Sequence, residues 1–211
     1  MPDAFDKRFW EQHWQQGQAA GPGSMADNPP NPYLDREAGA LLPGTALDAG
    51  CGAGAETIWL ASHGWRVTAV DISATALAAA DERAAASGVG EHIKWVEADL
   101  RSWSPDAPFD LVMTHYAHSA MPQLEFYDRI SRWVAPGGTL LIVGHLPVAG
   151  PAEHGHHRPA EACASAAAVV ACLGSTQWDI VTAEEPRRTL PGHGGRAVQL
   201  HDVVVRAVRR S

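Results

Sequence analysis

Basic residues are scarce in this chain. Its 211 residues contain 16 Lys and Arg against 24 Asp and Glu, which gives a formal net charge of −8. Proteins that bind nucleic acids rely on clustered Lys and Arg to neutralise phosphates, and the one basic cluster here, residues 206–210, is short and lies at a strand-like end. The charge therefore excludes nucleic acid as an expected partner and favours a small molecule.

Cysteines and long apolar runs are also few. Cys51, Cys163 and Cys172 make an odd number without paired spacing, which indicates reduced thiols and a cytoplasmic compartment. No apolar stretch has the roughly 20 residues needed to cross a bilayer, and the acidic, aromatic start of the chain does not resemble a secretion signal. We therefore expect a cytoplasmic protein with no membrane partner, either a monomer or a homodimer.

A glycine-rich turn between two strand-like segments is the most informative feature that is present. Residues 46–54 read ALDAGCGAG, and the next strand, VTAVD, ends at Asp71. The glycines allow a sharp turn and a close approach of the backbone to a ligand, and the helix that follows presents unpaired amides. Asp71 has acceptor oxygens for the two hydroxyls of a ribose. The pattern predicts a cofactor that contains adenosine.

The composition of this turn separates the cofactor classes. A dinucleotide site requires Gly-x-Gly-x-x-Gly, but from Gly50 the chain reads GCGAGA, without the last glycine. Asp48, two residues before Gly50, would repel a pyrophosphate and suits the cationic amino group of a methionine moiety. A nicotinamide-dependent oxidoreductase is therefore the less favoured alternative.

The segment resembles the first motif of the class I S-adenosylmethionine (SAM)-dependent methyltransferases, Asp-x-Gly-x-Gly-x-Gly. Three later segments resemble the third, fourth and fifth strands of that family in the same order: WVEADL at 95–100, FDLVMTHY at 109–116 and VAPGGTLLIV at 134–143. Further features are similar to small bacterial small-molecule methyltransferases of the tellurite-resistance and thiopurine group: FWEQHW at 9–14, NPYL at 31–34 and HDVVV at 201–205.

The resemblance implies SAM as cofactor and S-adenosylhomocysteine (SAH) as product. It implies that Asp48 and the glycines hold the methionine end, Asp71 the ribose, and Asp99 with the Leu100 amide the adenine. The expected cofactor-binding residues are Asp48, Gly50, Cys51, Gly52, Gly54, Asp71, Ile72, Asp99, Leu100, His115 and Trp14.

The catalytic candidates are His115, Tyr116 and His118, because this class places residues that face the methyl group after its fourth strand. A neutral imidazole accepts a proton from a thiol, phenol or amine, whereas a thiolate, chalcogen oxyanion or halide needs no base. His115 is the preferred candidate, and a purely structural role for each histidine stays open. The pocket is expected to have few cationic side chains, which disfavours a bulky polyanion.

Three functions from different classes remain. The leading one is methyl transfer to a small-molecule acceptor, a soft nucleophile such as a thiol or chalcogen, or a phenol or amine of a metabolite. The others are a SAM-binding protein without transfer activity and the oxidoreductase. The acceptor atom, whether S, Se, Te, O, N or a halide, is left open by the sequence.

Alternating strand and helix patterns predict an α/β fold, a Rossmann-like three-layer sandwich in a single domain. By the resemblance, its mostly parallel seven-stranded sheet ends in an antiparallel strand. Residues 1–44 are expected to form an N-terminal helical cap or lid and residues 45–211 the SAM-binding methyltransferase domain. Within the cap, residues 17–32 are predicted as a loop and residues 35–42 as a short helix.

Two conspicuous segments are given no role. NPPN at 28–31 is similar to a signature of enzymes that methylate planar amino groups, but that signature belongs after the fourth strand. EHGHH at 153–157, with His145, has the density of a metal site, yet it lies among Pro and Gly without fixed spacing. We predict no metal.

Overall fold

The computed structural model describes residues 5–19, 28–146, 162–191 and 197–211. These ranges contain six α-helices and eight β-strands. In chain order they are α1 (Lys7–Ala19), α2 (Pro32–Ala38), β1 (Thr45–Ala49), α3 (Ala55–Ser62), β2 (Arg66–Asp71), α4 (Ala74–Ala86), β3 (Ile93–Glu97), β4 (Phe109–His115), α5 (Gln123–Ser131), β5 (Val134–His145), α6 (Ala166–Leu173), β6 (Trp178–Glu184), β7 (Arg187–Pro191) and β8 (Ala197–Arg209).

The strands form one sheet with the order β3-β2-β1-β4-β5-β8-β6. Strands β1 to β5 pair in parallel, and β8 pairs antiparallel to both β5 and β6. The predicted α/β fold with an antiparallel last strand is confirmed. The eighth strand, β7, was not predicted; it pairs with β8 beside this path of seven strands. Its sequence, RRTLP, is short and lacks the apolar alternation that indicates a strand.

Each face of the sheet packs on helices, because successive strand residues point to opposite sides. One core joins Leu47, Val112 and Ile142 to α5 and α6. The other joins Leu111 and Met113 to α2 and α3. The layers are therefore helix, sheet and helix, as expected for strands that are apolar along their whole length.

Helix α2 begins earlier than the sequence analysis predicted. Asn31 caps it, since the Asn31 side chain accepts a hydrogen bond from the Tyr33 amide at 3.0 Å, and Pro32 occupies the first turn, where its missing N–H has no cost. Leu34 of this helix is fully buried. Residues 17–19, predicted as loop, continue α1 instead. No helix within the described ranges combines the length and apolar character needed to span a membrane.

Candidate active site

A cavity of about 330 Å³ lies at the carboxyl ends of β1 to β4. Parallel strands present their carboxyl ends at one edge of the sheet, so the turns that follow them meet there. Helix α1 and residues 28–32 complete the wall. All residues predicted for cofactor binding or catalysis line it: Trp14, Asp48, Gly50, Cys51, Gly52, Gly54, Asp71, Ile72, Asp99, Leu100, His115, Tyr116 and His118.

The glycine turn is closely covered by α1. Gly52 has a φ of +51°, and a Cβ atom built on it would lie 2.8 Å from Cζ2 of Trp14. Trp14 is buried and also packs on Ala53. Gly54, at φ +75°, immediately precedes α3, so the amino end of this helix faces the cavity. The turn therefore offers backbone amides beneath an indole cover.

Asp71 ends β2 and is held by backbone amides. Its Oδ2 accepts from the Gly52 amide and its Oδ1 from the Ser73 amide, both at 2.9 Å. Burial raises the pKa of this carboxyl, and the amide hydrogen bonds oppose the rise. Each carboxylate oxygen has a second lone pair, so Asp71 retains two acceptor positions for ligand hydroxyls.

Asp48 and Glu56 make the methionine end of the expected site acidic. Asp48 is 1% exposed, and its Oδ2 accepts from the Thr57 hydroxyl at 2.6 Å. Burial, followed by the charge of Glu56, raises the pKa of Asp48 to about 8. Glu56 accepts from the Asn31 amide at 2.9 Å and also lines the cavity. A cationic group bound here would favour the ionised form of Asp48.

Asp99 is engaged by a neighbouring arginine. Its carboxylate accepts from Nε, Nη2 and the backbone amide of Arg101, and these contacts lower its pKa. Leu100 is buried beside it, and its carbonyl accepts from Arg129 at 2.8 Å.

Burial raises the pKa of the Cys51 thiol well above its ordinary value, so this group stays neutral in the turn.

His115, the last residue of β4, has no hydrogen-bond partner for either ring nitrogen among the described residues, and both nitrogens are shielded from solvent. Burial lowers the pKa of its imidazole, which is therefore neutral at pH 7. A shielded polar group without a partner has a free-energy cost of about 1–3 kcal/mol. Its position on the cavity wall makes a bound molecule the natural partner.

The amide of Gln123 indicates which ring nitrogen of His118 is a hydrogen-bond donor. The amide nitrogen of Gln123 donates to the Ala117 carbonyl at 3.0 Å, which orients the amide oxygen toward His118. That oxygen lies 3.2 Å from Nδ1, so Nδ1 is assigned a proton. Gln123 is buried and was not identified from the sequence, where nothing marks it.

Tyr116 belongs to a corner that the sequence analysis did not predict. Its hydroxyl accepts from Nη2 of Arg188 at 2.9 Å, and Nε of Arg188 donates to Oδ2 of Asp202 at 2.6 Å. The Tyr33 hydroxyl donates to the same Asp202 oxygen at 3.1 Å. Burial raises the pKa of Tyr116 far above its usual value, so the hydroxyl stays protonated at neutral pH. A protonated hydroxyl donates hydrogen bonds and does not act as a base.

Two further features concern the surroundings of the cavity. His145 lies outside the described cavity lining and stacks on Tyr116 with 4.3 Å between ring centroids. Arg83 and Arg188 are the cationic side chains of the described lining. Residues 153–157 lie outside the described ranges. Within those ranges, no group of three or more His, Cys, Asp or Glu side chains is arranged to hold a metal ion.

The model of the methyltransferase domain family matches residues 46–138, which include the glycine turn, Asp71, Asp99 and all three catalytic candidates. Residues 46–138, a little under half of the chain, are thus similar to a methyltransferase domain.

Curated relatives match between about half and two thirds of the chain. The chain is 35% identical to a ribosomal RNA small subunit methyltransferase C of Alcanivorax borkumensis, with 49% of the chain and 33% of the relative covered. It is 36% identical to a trans-aconitate 2-methyltransferase of Streptomyces coelicolor, at 47% and 34% coverage, and 28% identical to a probable thiol methyltransferase 2 of Arabidopsis thaliana, at 64% and 60%. The chain thus spans between a third and three fifths of these relatives.

A solved structure extends the likeness of the fold. The N-methyltransferase NodS from Bradyrhizobium japonicum, in complex with SAH, is 21% identical with a TM-score of 0.65, over 95% of this chain and 98% of that one. The cavity of this chain also has the groups that SAM requires: hydroxyl acceptors on Asp71, acidic side chains for a cationic methionine end, and a turn with glycine at positions 50, 52 and 54. The residues present fit SAM.

Proposed function

We propose that this chain is a SAM-dependent methyltransferase that acts on a small molecule, with a soft nucleophile such as a thiol or chalcogen, or a phenol or amine, as the acceptor. One observation carries the proposal: a single cavity joins an acidic, glycine-lined turn to the neutral, unpartnered imidazole of His115. The first part suits a cationic cofactor, and the second suits an acceptor that must lose a proton.

Each residue of the cavity wall has a separate role in the proposed reaction. When bound, SAM supplies a methyl group on a positively charged sulfur, which retains the bonding electron pair as the acceptor forms its new bond to carbon. Asp71 would fix the ribose, and Asp48 and Glu56 would favour the cationic end. His115 accepts the proton from an S–H or O–H acceptor. Trp14, on α1, covers the turn and keeps water out, which preserves the alignment on which the displacement depends.

Two of the three relatives support a small-molecule acceptor, since they are named thiol and trans-aconitate methyltransferases, whereas the third is named for ribosomal RNA. The residues that match the methyltransferase domain model contain the cofactor turn. Since a thiol acceptor loses a proton to an imidazole, a thiol methyltransferase activity is compatible with the position of His115.

Binding of SAH is the first test. By isothermal titration calorimetry we expect SAH to bind the wild type, and Asp71→Asn to weaken it at least tenfold, because hydrogen bonds to a charged carboxylate contribute about 1.5–3 kcal/mol. Asp128→Asn, which alters an exposed ion pair with Arg132, is the matched control and should bind like the wild type. A wild type that does not bind SAH contradicts the proposal.

Turnover is the second test. Release of SAH is measured with thiols, selenite, tellurite, iodide, phenols and amines as acceptors, in the wild type and in His115→Asn. We expect a loss of about 100-fold for acceptors that carry a proton and little change for iodide, which needs no base. His92→Ala, at an exposed histidine, should behave as the wild type. Binding of SAH without turnover of any acceptor would favour the binding protein without transfer activity.

A further inference from the structure

We propose that the methyl acceptor carries a carboxylate group and that Arg188 binds it, at the side of the cavity away from the ribose position. This inference rests on the proposed function, because it names the class of molecule that the same cavity takes as acceptor. Arg188 is one of the two cationic residues in the described cavity lining.

Arg188 retains hydrogen-bonding capacity at the cavity wall. Its Nε donates to Asp202 and its Nη2 to the Tyr116 hydroxyl, while Nη1 forms no hydrogen bond with any described residue. A guanidinium has five N–H donors in a planar fork, which matches the two oxygens of a carboxylate. The side chain is 22% exposed and forms part of the cavity lining. A molecule in the cavity therefore reaches donors that the protein leaves unused.

The topology places Arg188 in the acceptor half. Asp71 and Asp99, the expected ribose and adenine residues, follow β2 and β3, on one side of β1 in the sheet. Tyr116 follows β4, on the other side of β1, and the guanidinium carbon of Arg188 lies 5.8 Å from its ring centroid. A group bound by Arg188 is therefore on the opposite side of β1 from the expected position of the nucleoside.

Buried partners hold Arg188 in place before any ligand arrives. Asp202 is fully buried, and it is bonded both to Arg188 and to the Tyr33 hydroxyl. Because the guanidinium is already fixed, a carboxylate that binds it costs little further side-chain entropy. The negative charge of Asp202 also cancels the long-range attraction of Arg188 for anions. Arg188 should therefore bind a planar carboxylate that it contacts directly in preference to other anions.

The other cation in the described lining differs from Arg188. Arg83 donates to the backbone carbonyls of Ala53, at 2.8 Å, and Asn28, at 3.2 Å, and so holds the turn together. The acidic group Glu56 also lines the cavity, and its charge acts on Asp48 and His115. A carboxylate on the acceptor would be repelled by Glu56 and attracted at Arg188. These charges therefore orient the acceptor, with its carboxylate at Arg188 and its nucleophile toward the transferred methyl group.

The test compares acids with their amides. Three pairs are titrated by calorimetry into the full chain, with and without saturating SAH: 3-mercaptopropionate and its amide, benzoate and benzamide, succinate and succinamide. We expect at least one acid to bind ten or more times tighter than its amide. In Arg188→Gln this preference should fall below twofold. Arg36→Gln is the matched control, because Arg36 lies over the Tyr33 ring at 5.1 Å but outside the cavity lining, and it should retain the preference.

Loss of Arg188 alone leaves a buried charge on Asp202, which endangers folding. The double variant Arg188→Gln/Asp202→Asn removes both charges, and its thermal unfolding shows whether the fold persists. Equal binding of acids and amides by the wild type, or a preference that survives in the folded double variant, overturns the inference. Absence of SAH binding contradicts the proposed function alone, since the titrations without SAH still test Arg188.

Discussion

Gly52 lies in the turn directly against the indole of Trp14, so a side chain at this position has no space. Its φ of +51° favours glycine, and a Cβ atom would meet Trp14 at 2.8 Å. We predict that Gly52→Ala lowers the free energy of unfolding by about 1–3 kcal/mol and weakens SAH binding at least tenfold, because the indole must move off the turn. Urea denaturation and calorimetry measure the two effects.

Gly88 provides the control for backbone strain alone. It also has a positive φ, +69°, but a Cβ atom there would meet nothing within 4 Å. Gly88→Ala should lose about 1–2 kcal/mol of stability and bind SAH as the wild type does. Equal SAH affinity of Gly52→Ala and Gly88→Ala would show that the contact between Trp14 and the turn does not contribute to SAH binding.

Asp48 makes stability depend on pH in an unusual direction. Burial raises its pKa from 3.8 to about 8, so the folded state holds a proton that the unfolded state releases. A group with a raised carboxyl pKa stabilises the fold below the unfolded value and loses this contribution as pH rises. We predict that the free energy of unfolding decreases between pH 4 and 8 by up to about 1.4 kcal/mol per pH unit from this residue.

The comparison with Asp48→Asn isolates that contribution. The variant cannot ionise, so its urea midpoint should fall less between pH 5 and pH 8 than the wild-type midpoint. With SAM bound, the wild-type decrease should shrink as well, because a cationic methionine end favours the ionised carboxylate. Parallel pH profiles in wild type and variant would show that Asp48 does not titrate in this range.

Helix α1 is attached to the rest of the protein by a few polar contacts. Glu11 accepts from the Ala74 amide and from the Thr75 hydroxyl, both at 2.6 Å, at the amino end of α4. An acidic group there also interacts favourably with the helix dipole. We predict that Glu11→Gln increases the rate of SAH dissociation several-fold, because α1 carries Trp14 over the turn. Stopped-flow displacement of SAH measures this rate.

Lys7 supplies the matched control on the same helix. It forms an ion pair with Glu97, and both side chains are about half exposed. Exposed pairs of this kind contribute little, about 0–1 kcal/mol. Lys7→Ala should therefore leave the SAH dissociation rate unchanged. A similar increase in both variants would indicate that loss of any polar contact of α1 releases SAH, and not specifically the contact of Glu11 with the amino end of α4.

The elements that were predicted correctly carry local signals, and the missed ones do not. Apolar residues and turn glycines in the sequence predict strands at 45–49, 66–71 and 93–97, and these are the bounds of β1 to β3. β7 pairs with β8, which begins six residues after β7 ends, and its sequence contains two arginines and a proline. Because β7 lacks apolar alternation, its sequence did not predict a strand.

The same distinction applies to the site. The cofactor-binding residues occur in short motifs next to strand ends, and all of them line the cavity. The corner of Tyr33, Tyr116, Arg188 and Asp202 joins positions far apart in the chain, and no single motif contains them all. Nothing local indicates that a guanidinium will reach the cavity from β7. The cation beside Tyr116 was therefore not predicted.

The expected N-terminal cap of residues 1–44 contains two helices that pack differently. α1 forms a small separate cluster through Trp14, whereas α2 places Leu34 in the main core, and Glu37 of α2 is paired with Arg206 of β8. We predict that a chain starting at residue 28 unfolds cooperatively but binds SAH much more weakly, because the cover of the turn is gone. A chain starting at residue 45 should lose cooperative unfolding, since burial of a leucine side chain alone contributes about 1.5–3 kcal/mol and the partner of Arg206 is removed with it. Thermal unfolding by circular dichroism and SAH calorimetry on both chains measure these effects. Cooperative unfolding of the chain that starts at residue 45 would show that α2 belongs to the cap. Unchanged SAH affinity of the chain that starts at residue 28 would show that α1 does not cover the cofactor.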